Sequence, residues 1–489
     1  MKSCLSHQML TNQKKYERKI ITMKKIIALF LSTIMMLTIV ISVGSFSASA
    51  EEVTITPDTS WYSDGNSNFN IVDAADLLGL SSLIAEGKTF AGKTINILND
   101  INLNPNFDAN AEVVTAPKNT WHAEGATKEF NGTVNGNGHT ISGMYAKANS
   151  HNYGFFASVR EAGASATIKN LCIVNSYIEI EQKTDTAGTR CYIGGLFGNV
   201  KGTATIENVY SEINIVRTAT SGGERYGGFC GFLDGGTITI KSSVYNGKIK
   251  NCAVSYVGGM VGCMTNSSTL SIIDSAFYGS VEGTDANLAA GFLGRTHGAS
   301  YSVTSSICAG DSITSDGGTC GAFYTTANVN LDTITIDSLS IYASDKNYTA
   351  NTMGGATSKT LDEIKTMELT GYTNWTRVED GQLPYPKTIA EMLATTPEYV
   401  PNENGNNGEE SDNPGITINP SNPSNPSTNE IVRPDTETDP VDSTDTASAE
   451  TEDGHEEDKG GCGSTIGAFS AVIVITSIAG VAIRKKKEQ

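Results

Sequence analysis

Between residues 150 and 345 the chain alternates short apolar stretches with glycine-containing bends, and one pattern recurs. The first stretch of each copy joins glycines to an apolar centre, as in Gly194-Gly195-Leu196-Phe197-Gly198. The aligned glycines are Gly154, Gly195, Gly228, Gly259, Gly291 and Gly321, with spacings of 41, 33, 31, 32 and 30 residues. Periods of this size are typical of stacked architectures.

The second stretch of each copy begins with a β-branched aliphatic residue and has a short polar residue two positions later. The aliphatic residues are Ile168, Ile206, Ile240, Ile272, Val303 and Ile336, and the polar residues are Asn170, Asn208, Ser242, Asp274, Ser305 and Ser338. Side chains of this polar type can hydrogen-bond backbone amides at a turn, and in stacked copies they would form a ladder. The apolar pieces are too short for helices and are rich in β-formers. We expect the glycines to allow either a positive φ or a close backbone approach.

These patterns predict an all-β fold, a right-handed parallel β-helix in which each repeat buries its hydrophobic face against the next. A β-propeller is the competing architecture, but its blades commonly span about 40 to 50 residues. Upstream, Ala74, Leu77, Leu78 and Ile84 suit one face of a short helix with Asp73 as its N-cap. We expect this helix to cap the N-terminal end of the solenoid, because an open end exposes unpaired strand edges.

Both ends of the chain carry export or membrane signals. From Met23, two lysines precede an apolar run over 26–43 and small residues up to Ala50, which predicts a secretory signal cleaved after Ala50; an uncleaved anchor is the alternative. The 18 uncharged residues 466–483 are followed by four basic residues, 484–487. This order predicts a membrane-spanning helix with a cytoplasmic basic end. We therefore expect an extracellular ectodomain anchored at the cell surface.

Charge separates the folded part from a stalk. Residues 401–460 hold no aromatic residue and carry 16 acidic against 2 basic side chains, so they account for most of the net charge of −19. Such a segment cannot bury enough apolar area to fold, and the acidity of the chain argues against nucleic-acid binding. The predicted organisation is an N-terminal extension and signal peptide over 1–50, N-terminal cap and entry coils over 51–150, β-helix repeats over 151–345, a closing segment over 346–400, a disordered acidic stalk over 401–460 and a transmembrane anchor over 461–489.

Seven cysteines lie within the repeats: Cys172, Cys191, Cys230, Cys252, Cys263, Cys308 and Cys320. Their number is odd, and no pair has C-x-x-C or zinc-knuckle spacing. Cys230 replaces an apolar residue of the other repeats, which favours small buried hydrophobes over metal ligands. We predict no metal and no cofactor.

The core Gly195-Leu196-Phe197-Gly198 resembles the GLUG-type repeats of bacterial surface proteins. Residues 90–95, 98–103 and 130–141 are similar to the entry coils of that family, and Trp375 with 381–386 to its closing segment. The tail 461–489 resembles anchors on surface proteins of clostridia and their relatives. The resemblance implies the fold and not an activity. Some members of the family are fused to IgA-specific metalloproteases, but no H-E-x-x-H sequence occurs here.

Catalytic residues are not evident. Pectate lyases and polygalacturonases use β-helices with clustered carboxylates, whereas no Asp-Asp or Asp-x-Asp pair occurs within 150–345. His139 could be a base, although a histidine bonded to backbone in a turn is the simpler interpretation. Trp61, Trp121 and Trp375 could stack on sugars or serve in caps and core. We predict no catalytic residue, while carboxylates distant in sequence could still meet on adjacent coils.

The expected function is therefore non-catalytic adhesion or ligand display by an exported, membrane-anchored bacterial surface protein. Its expected partners are host or dietary glycans or surface proteins. An extracellular polysaccharide lyase or glycoside hydrolase on the same scaffold is the alternative. A surface-layer spacer without a ligand is a third possibility, which the sequence does not separate from adhesion.

Overall fold

A computed structural model describes residues 53–395 with internal gaps. The gaps are 123–127, 149–151, 162, 182–191, 219–224, 253–255, 266, 284–287, 298–299, 317, 327–332, 347 and 349–353. The predicted signal segment, stalk and membrane anchor, and Cys191, lie outside the described residues. Across the described ranges, no helix has the length and apolarity needed to cross a bilayer.

The described residues are mostly β-strand, with three short helices. The elements before the first paired-glycine strand are β1 (Asn68–Ile71), α1 (Ala74–Ala85), β2 (Thr94–Ile97), β3 (Ile101–Asn102), β4 (Thr133–Asn135), β5 (Thr140–Ser142), β6 (Tyr145–Ala148), β7 (Asn152–Tyr153), β8 (Phe156–Val159) and β9 (Ser165–Ile180). The next are β10 (Tyr192–Gly194), β11 (Phe197–Val200), β12 (Thr203–Arg217), β13 (Arg225–Gly227), β14 (Cys230–Leu233), β15 (Thr237–Lys241), β16 (Val244–Tyr245), β17 (Lys248–Lys250), β18 (Tyr256–Gly258), β19 (Val261–Met264), β20 (Thr269–Ile273), β21 (Ala276–Phe277) and β22 (Ser280–Gly283). The last are β23 (Leu288–Ala290), β24 (Leu293–Thr296), β25 (Ser300–Thr304), β26 (Ile307–Cys308), β27 (Ser312–Ser315), β28 (Thr319–Gly321), β29 (Tyr324–Thr326), β30 (Ile334–Ile336), β31 (Ile341–Ala343), β32 (Thr357–Lys359), α2 (Leu361–Thr366), β33 (Trp375–Thr376), β34 (Tyr385–Pro386) and α3 (Lys387–Thr395).

The largest sheet has 20 strands and pairs each strand in parallel with the strand one repeat later. One buried apolar position stacks through nine of them: Phe69, Ile95, Val134, Ile168, Ile206, Ile240, Ile272, Val303 and Ile336. The last six of these are the aliphatic positions that the sequence aligns, so that alignment is confirmed. Because the column is continuous, the segment before the repeats shares their hydrophobic core.

Two further parallel sheets hold six strands each, β7-β10-β13-β18-β23-β28 and β8-β11-β14-β19-β24-β29. The paired glycines lie at the bend between them. A Cβ on Gly228 would lie 2.2 Å from the carbonyl oxygen of Gly259, and one on Gly259 would lie 2.2 Å from that of Gly291. None of these three has a positive φ, so close backbone approach is the reason for glycine here. The predicted alignment of the last repeat is wrong by one residue, because Gly321 pairs with Ala290 and not with Gly291.

The polar column occupies left-handed backbone. Its positive-φ members are Asn170, Asn208, Ser242, Asp274 and Ser305, with φ between 46° and 54° in every case. Asn208 Nδ2 donates to Asn170 Oδ1 at 2.9 Å, and Asn170 Nδ2 donates to Asn135 Oδ1 at 3.0 Å. The predicted ladder is therefore confirmed for Asn170 and Asn208, whereas Asn135 is the register partner of Lys169 and lies outside the predicted column. Ser338 does not adopt a positive φ, and the neighbouring Asp337 Oδ1 instead accepts from the Ser305 backbone N–H at 3.0 Å.

A ladder of buried serines that is not among the predicted features runs beside this column. The Ser243 N–H donates to Ser275 Oγ at 3.1 Å, the Ser275 N–H to Ser306 Oγ at 3.1 Å, and the Ser306 N–H to Ser340 Oγ at 3.3 Å. The Ser275 hydroxyl in turn donates to the Ile273 carbonyl at 2.7 Å. These bonds satisfy buried backbone groups at the bend, where an unpaired N–H would be costly.

The helix α1 begins at the predicted N-cap, because Asp73 Oδ1 accepts from the Asp76 N–H at 3.0 Å. The helix buries more than the one face that the sequence predicts. The buried apolar residues of the helix are Leu77, Leu78, Leu80, Leu83 and Ile84. The preceding segment covers the opposite side, since a Cβ on Gly79 would lie 1.8 Å from the carbonyl oxygen of Asp58.

Residues 354–395, within the predicted closing segment, pack along the outer side of the large sheet. The strand β32 pairs with β31, and the chain then returns towards earlier repeats. Trp375 Nε1 donates to the Ser305 carbonyl at 3.1 Å, and Asn374 Nδ2 donates to Asp274 Oδ2 at 2.6 Å. The sheet residues in this second core are Cys172, Val174, Tyr210, Val244, Ala276, Tyr278, Ile307, Ala309, Ile341 and Ala343.

Replacing Gly228 with alanine tests the close approach at the bend. The added methyl would lie 2.2 Å from backbone that cannot swing aside. We expect the free energy of unfolding to fall by about 1–3 kcal/mol or more, the usual cost of overpacking. Thermal and urea unfolding measure the change. The control is Gly65→Ala, where no atom lies within 4 Å of the new Cβ; equal destabilisation by the two substitutions would contradict the close approach.

Trp375→Ala tests the packing of the closing segment. The indole is 3 % exposed, and its removal leaves a cavity and takes away a donor to the Ser305 carbonyl. We expect a loss of about 3–5 kcal/mol and early proteolytic cleavage within 354–395. The control is Val378→Ala, because Val378 is 44 % exposed. Identical cleavage patterns for the two variants would show that the segment is not held by this side chain.

Candidate binding surface

An arginine–aromatic cluster lies on the two six-stranded sheets and consists of Tyr192, Arg225, Phe232, Tyr256 and Arg295. Tyr192, Arg225 and Tyr256 are register partners on β10, β13 and β18. Phe232 and Arg295 lie at one position of the other sheet, two strands apart. The residues that follow the first three in sequence point into the hydrophobic core, so alternation along each strand directs the cluster away from it.

The aromatic rings surround one guanidinium. Arg225 Cζ lies 3.7 Å from the ring centroid of Phe232, 5.2 Å from that of Tyr192 and 6.0 Å from that of Tyr256. Arg295 Cζ lies 4.4 Å from the Tyr256 centroid, and the Tyr192 and Phe232 rings are 4.5 Å apart. Cation–π attraction at these distances stabilises both cations and fixes the orientation of Arg225.

The arginines of the cluster keep buried donor groups without a partner. Arg225 is only 6 % exposed, yet its Nη1 has no hydrogen-bond acceptor, and neither has Nε of Arg295. Burial, and secondarily the charge of Arg225, lower the pKa of Arg295. Within the part of the chain that the structure describes, no carboxylate forms a salt bridge with either guanidinium. A buried polar group in this condition is rare in proteins and calls for an explanation.

Unpartnered acceptors lie on neighbouring strands. Asn152 is the register partner of Tyr192, and Asn199 is that of Phe232. Both side chains are 3 % exposed, and both amide oxygens lack a donor. Glu129 forms an isolated parallel β-bridge with Ser158, which is the register partner of Asn199. Its Oε2 is buried and also lacks a donor. The surface therefore offers donors at one end and acceptors at the other.

This arrangement suits the binding of an oxyanion with hydroxyl groups close to it. A guanidinium presents a rigid fork of donors that matches a carboxylate, sulfate or phosphate group. Tyr192, Tyr256 and Arg295 are half-buried, so the cluster has an accessible side. None of these residues is predicted by the sequence analysis. The available signal was the recurrence of large polar or aromatic residues two positions before the paired glycines at 194–195, 227–228 and 258–259.

His139 lies in a turn, as the simpler interpretation predicts, but its ring is bonded to a carboxylate and not to backbone. The backbone N–H of His139 donates to the Gly136 carbonyl at 2.8 Å. The ring Nδ1 lies 3.2 Å from Asp100 Oδ1. The same carboxylate oxygen accepts from the Thr140 N–H at 2.9 Å. Over the described ranges, no hydroxyl or thiol is hydrogen-bonded to the other imidazole nitrogen.

The tryptophans belong to the core. Trp121 is fully buried, stacks on Phe155 at 4.6 Å and donates to the Phe155 carbonyl at 2.9 Å. Trp375 is buried under the closing segment, and Trp61 is half-buried against Phe69 at 5.6 Å. Sugar stacking by Trp121 and Trp375 is therefore wrong, because their rings are covered.

The described cysteines are buried, as the sequence predicts. These are Cys172, Cys230, Cys252, Cys263, Cys308 and Cys320. Burial raises the pKa of the Cys230 and Cys308 thiols to about 12. Among the residues that the structure describes, no group of three or more histidine, cysteine or acidic side chains could hold a metal ion.

Comparisons with known proteins found little. No protein-family model matches the chain, and no curated protein is similar to it. Among solved structures, the chain is similar to the crystal structure of a "putative immunoglobulin A1 protease" from Bacteroides ovatus. The two share 18 % identity over 67 % of this chain and 94 % of that chain, with a TM-score of 0.37. A similarity of this size assigns neither a fold nor an activity.

Thiol alkylation tests the burial of the cysteines. With pKa values of about 12, Cys230 and Cys308 are neutral thiols at pH 8, and only the thiolate reacts. We expect both to stay unmodified in the native protein and to react fully in denaturant, as peptide mapping by mass spectrometry would show. Rapid native alkylation at either site would contradict the burial.

Proposed function

We propose that this chain is an exported, membrane-anchored bacterial surface protein of the GLUG-repeat type, in which a right-handed parallel β-helix displays a non-catalytic binding surface. The single observation that carries the binding role is the buried, unpaired Nη1 of Arg225 among three aromatic rings. Host or dietary glycans, or surface proteins, are the partners of this adhesion.

The β-helix is supported by how the strands succeed one another. Each repeat contributes strands to all three parallel sheets, and each strand pairs with the strand one repeat later. The Ile206 position, for example, pairs with Ile168 on one side and Ile240 on the other. A chain that winds through three sheets once per repeat gives this pairing, with like residues stacked along the core.

Binding is favoured because the cluster is costly without a ligand. Leaving a buried donor unsatisfied costs about 1–3 kcal/mol, and more for a charged group. A ligand oxyanion would repay that cost. The location at the cell surface is supported by the signal-like segment before Glu51 and by the apolar and basic residues 466–487.

A polysaccharide lyase or glycoside hydrolase is the second candidate. The observation in its favour is Glu129, which is bridged to the sheet that holds Arg295. Its buried Oε2 has no hydrogen-bond partner. A hydrolase requires a second carboxylate about 5–9.5 Å from the first. We place one carboxylate, Glu129, at this surface, whereas a hydrolase needs two, so we rank this function second.

Cells that lack the protein test the proposal. We expect them to bind mucin, plant polysaccharide or epithelial surfaces less well than the parent strain, with binding restored by the full-length chain. Purified protein incubated with the same polysaccharides should release neither new reducing ends nor unsaturated uronates.

Unchanged binding by the deletion strain on every surface would contradict adhesion. Reproducible release of unsaturated uronates, absent from a Glu129→Gln preparation, would instead establish the enzyme.

A further inference from the structure

We propose that the arginine–aromatic cluster binds the acidic group, a carboxylate or a sulfate, of an anionic saccharide. This inference rests on the proposed binding function and deepens it by naming the class of ligand. The ligand would place its oxyanion against Arg225 and Arg295 and its neighbouring hydroxyls against Asn199 and Asn152.

The first step is the identity of the missing partner. Arg225 Nη1 and Arg295 Nε are donors in need of acceptors, and a guanidinium has no acceptor of its own. Water alone would leave two adjacent cations uncompensated. An oxyanion supplies acceptors and a negative charge together, in hydrogen bonds roughly twice as strong as neutral ones.

The second step is that the surroundings fix the guanidinium before any ligand arrives. The Phe232 ring lies 3.7 Å from Arg225 Cζ, and the rings of Tyr192 and Tyr256 lie at 5.2 and 6.0 Å. Since the side chain is held by packing, binding loses little rotamer entropy. The aromatic rings therefore orient the arginine here, and they need not stack on the sugar.

The third step concerns the rest of the ligand. The amide of Asn199 is one strand from Phe232, a spacing of about 4.8 Å. Its unpaired oxygen, like that of Asn152, requires a donor. Acidic sugars carry several hydroxyl donors beside their acidic group on one rigid ring, whereas the N–H donors of an acidic peptide lie on a flexible chain that loses more conformational entropy on binding. A saccharide therefore satisfies both ends of the surface better than a peptide.

The fourth step is the origin of selectivity. Residues 53–395 alone hold 32 acidic and 21 basic side chains, a formal net charge of −11, so their long-range field repels polyanions. Attraction to an anionic saccharide must then come from the local pair of arginines. Binding should depend on these two side chains far more strongly than on any exposed lysine.

The experiment uses the full-length chain and calorimetric titration with polygalacturonate, a sulfated glycosaminoglycan, a neutral galactan and poly-glutamate. The variants are R295Q, which alters a half-buried residue, and R225K, which keeps the charge but removes the fork. The control is K241Q, because Lys241 is 48 % exposed and bonds Glu207 on the large sheet. Circular dichroism melts establish that each variant is folded.

We expect an acidic saccharide to bind, and each arginine variant to weaken binding roughly tenfold or more, while K241Q leaves it unchanged. Preference for polygalacturonate would identify a carboxylate, and preference for the glycosaminoglycan a sulfate. Equal binding of poly-glutamate would overturn the saccharide assignment. If the chain binds neutral glycans and the arginine variants bind them equally well, this inference is wrong while adhesion stands. If no glycan binds and the deletion strain adheres normally, both proposals fail.

Discussion

The structure depends on one constraint, the parallel register that places each residue beside its counterpart one repeat away. That register lets backbones approach so closely at the bend that the Gly228 position has no room for a Cβ. It also turns single positions into columns, aliphatic in the core and polar at the turn. Each repeat is stable because its neighbours cover its apolar face and complete its backbone hydrogen bonds.

The same register builds the candidate surface. Stacking at about 4.8 Å brings Tyr192, Arg225 and Tyr256 side by side, although they are far apart in sequence. The bend then places the Phe232 position of the next sheet against them. The residue type in this outward-facing column changes from repeat to repeat, whereas the neighbouring core columns keep theirs. Residues of the outward column can therefore form a binding site without disturbing the fold.

The sequence predicts the parts of the fold that repeat. The Ile206 column and the left-handed Asn208 column are visible because the same residue types recur at fixed offsets. The sequence does not predict the serine ladder in full, since Ser243 and its counterparts are absent from the earlier repeats. The lateral packing of Trp375 is also missed, because a contact across 70 residues leaves no local pattern.

The arginine–aromatic cluster escapes sequence analysis for a related reason. Arg225 and Arg295 are single charges in different stretches, and only the bend between two sheets brings both to the Tyr256 ring. The alignment of the repeats on their glycines identifies the core-facing residues and not the two arginines. Electrostatic sites of this kind follow from tertiary register and not from spacing along the chain.

Disulfide trapping tests that register most directly. Thr205 and Thr239 are paired on adjacent strands, whose spacing of about 4.8 Å falls within disulfide range, whereas Thr205 and Ser271 are two strands apart at about 10 Å. The account predicts that T205C/T239C forms an intramolecular disulfide on mild oxidation and that T205C/S271C does not, as mapped by mass spectrometry. Equal cross-linking of both pairs, or of the second alone, would contradict it.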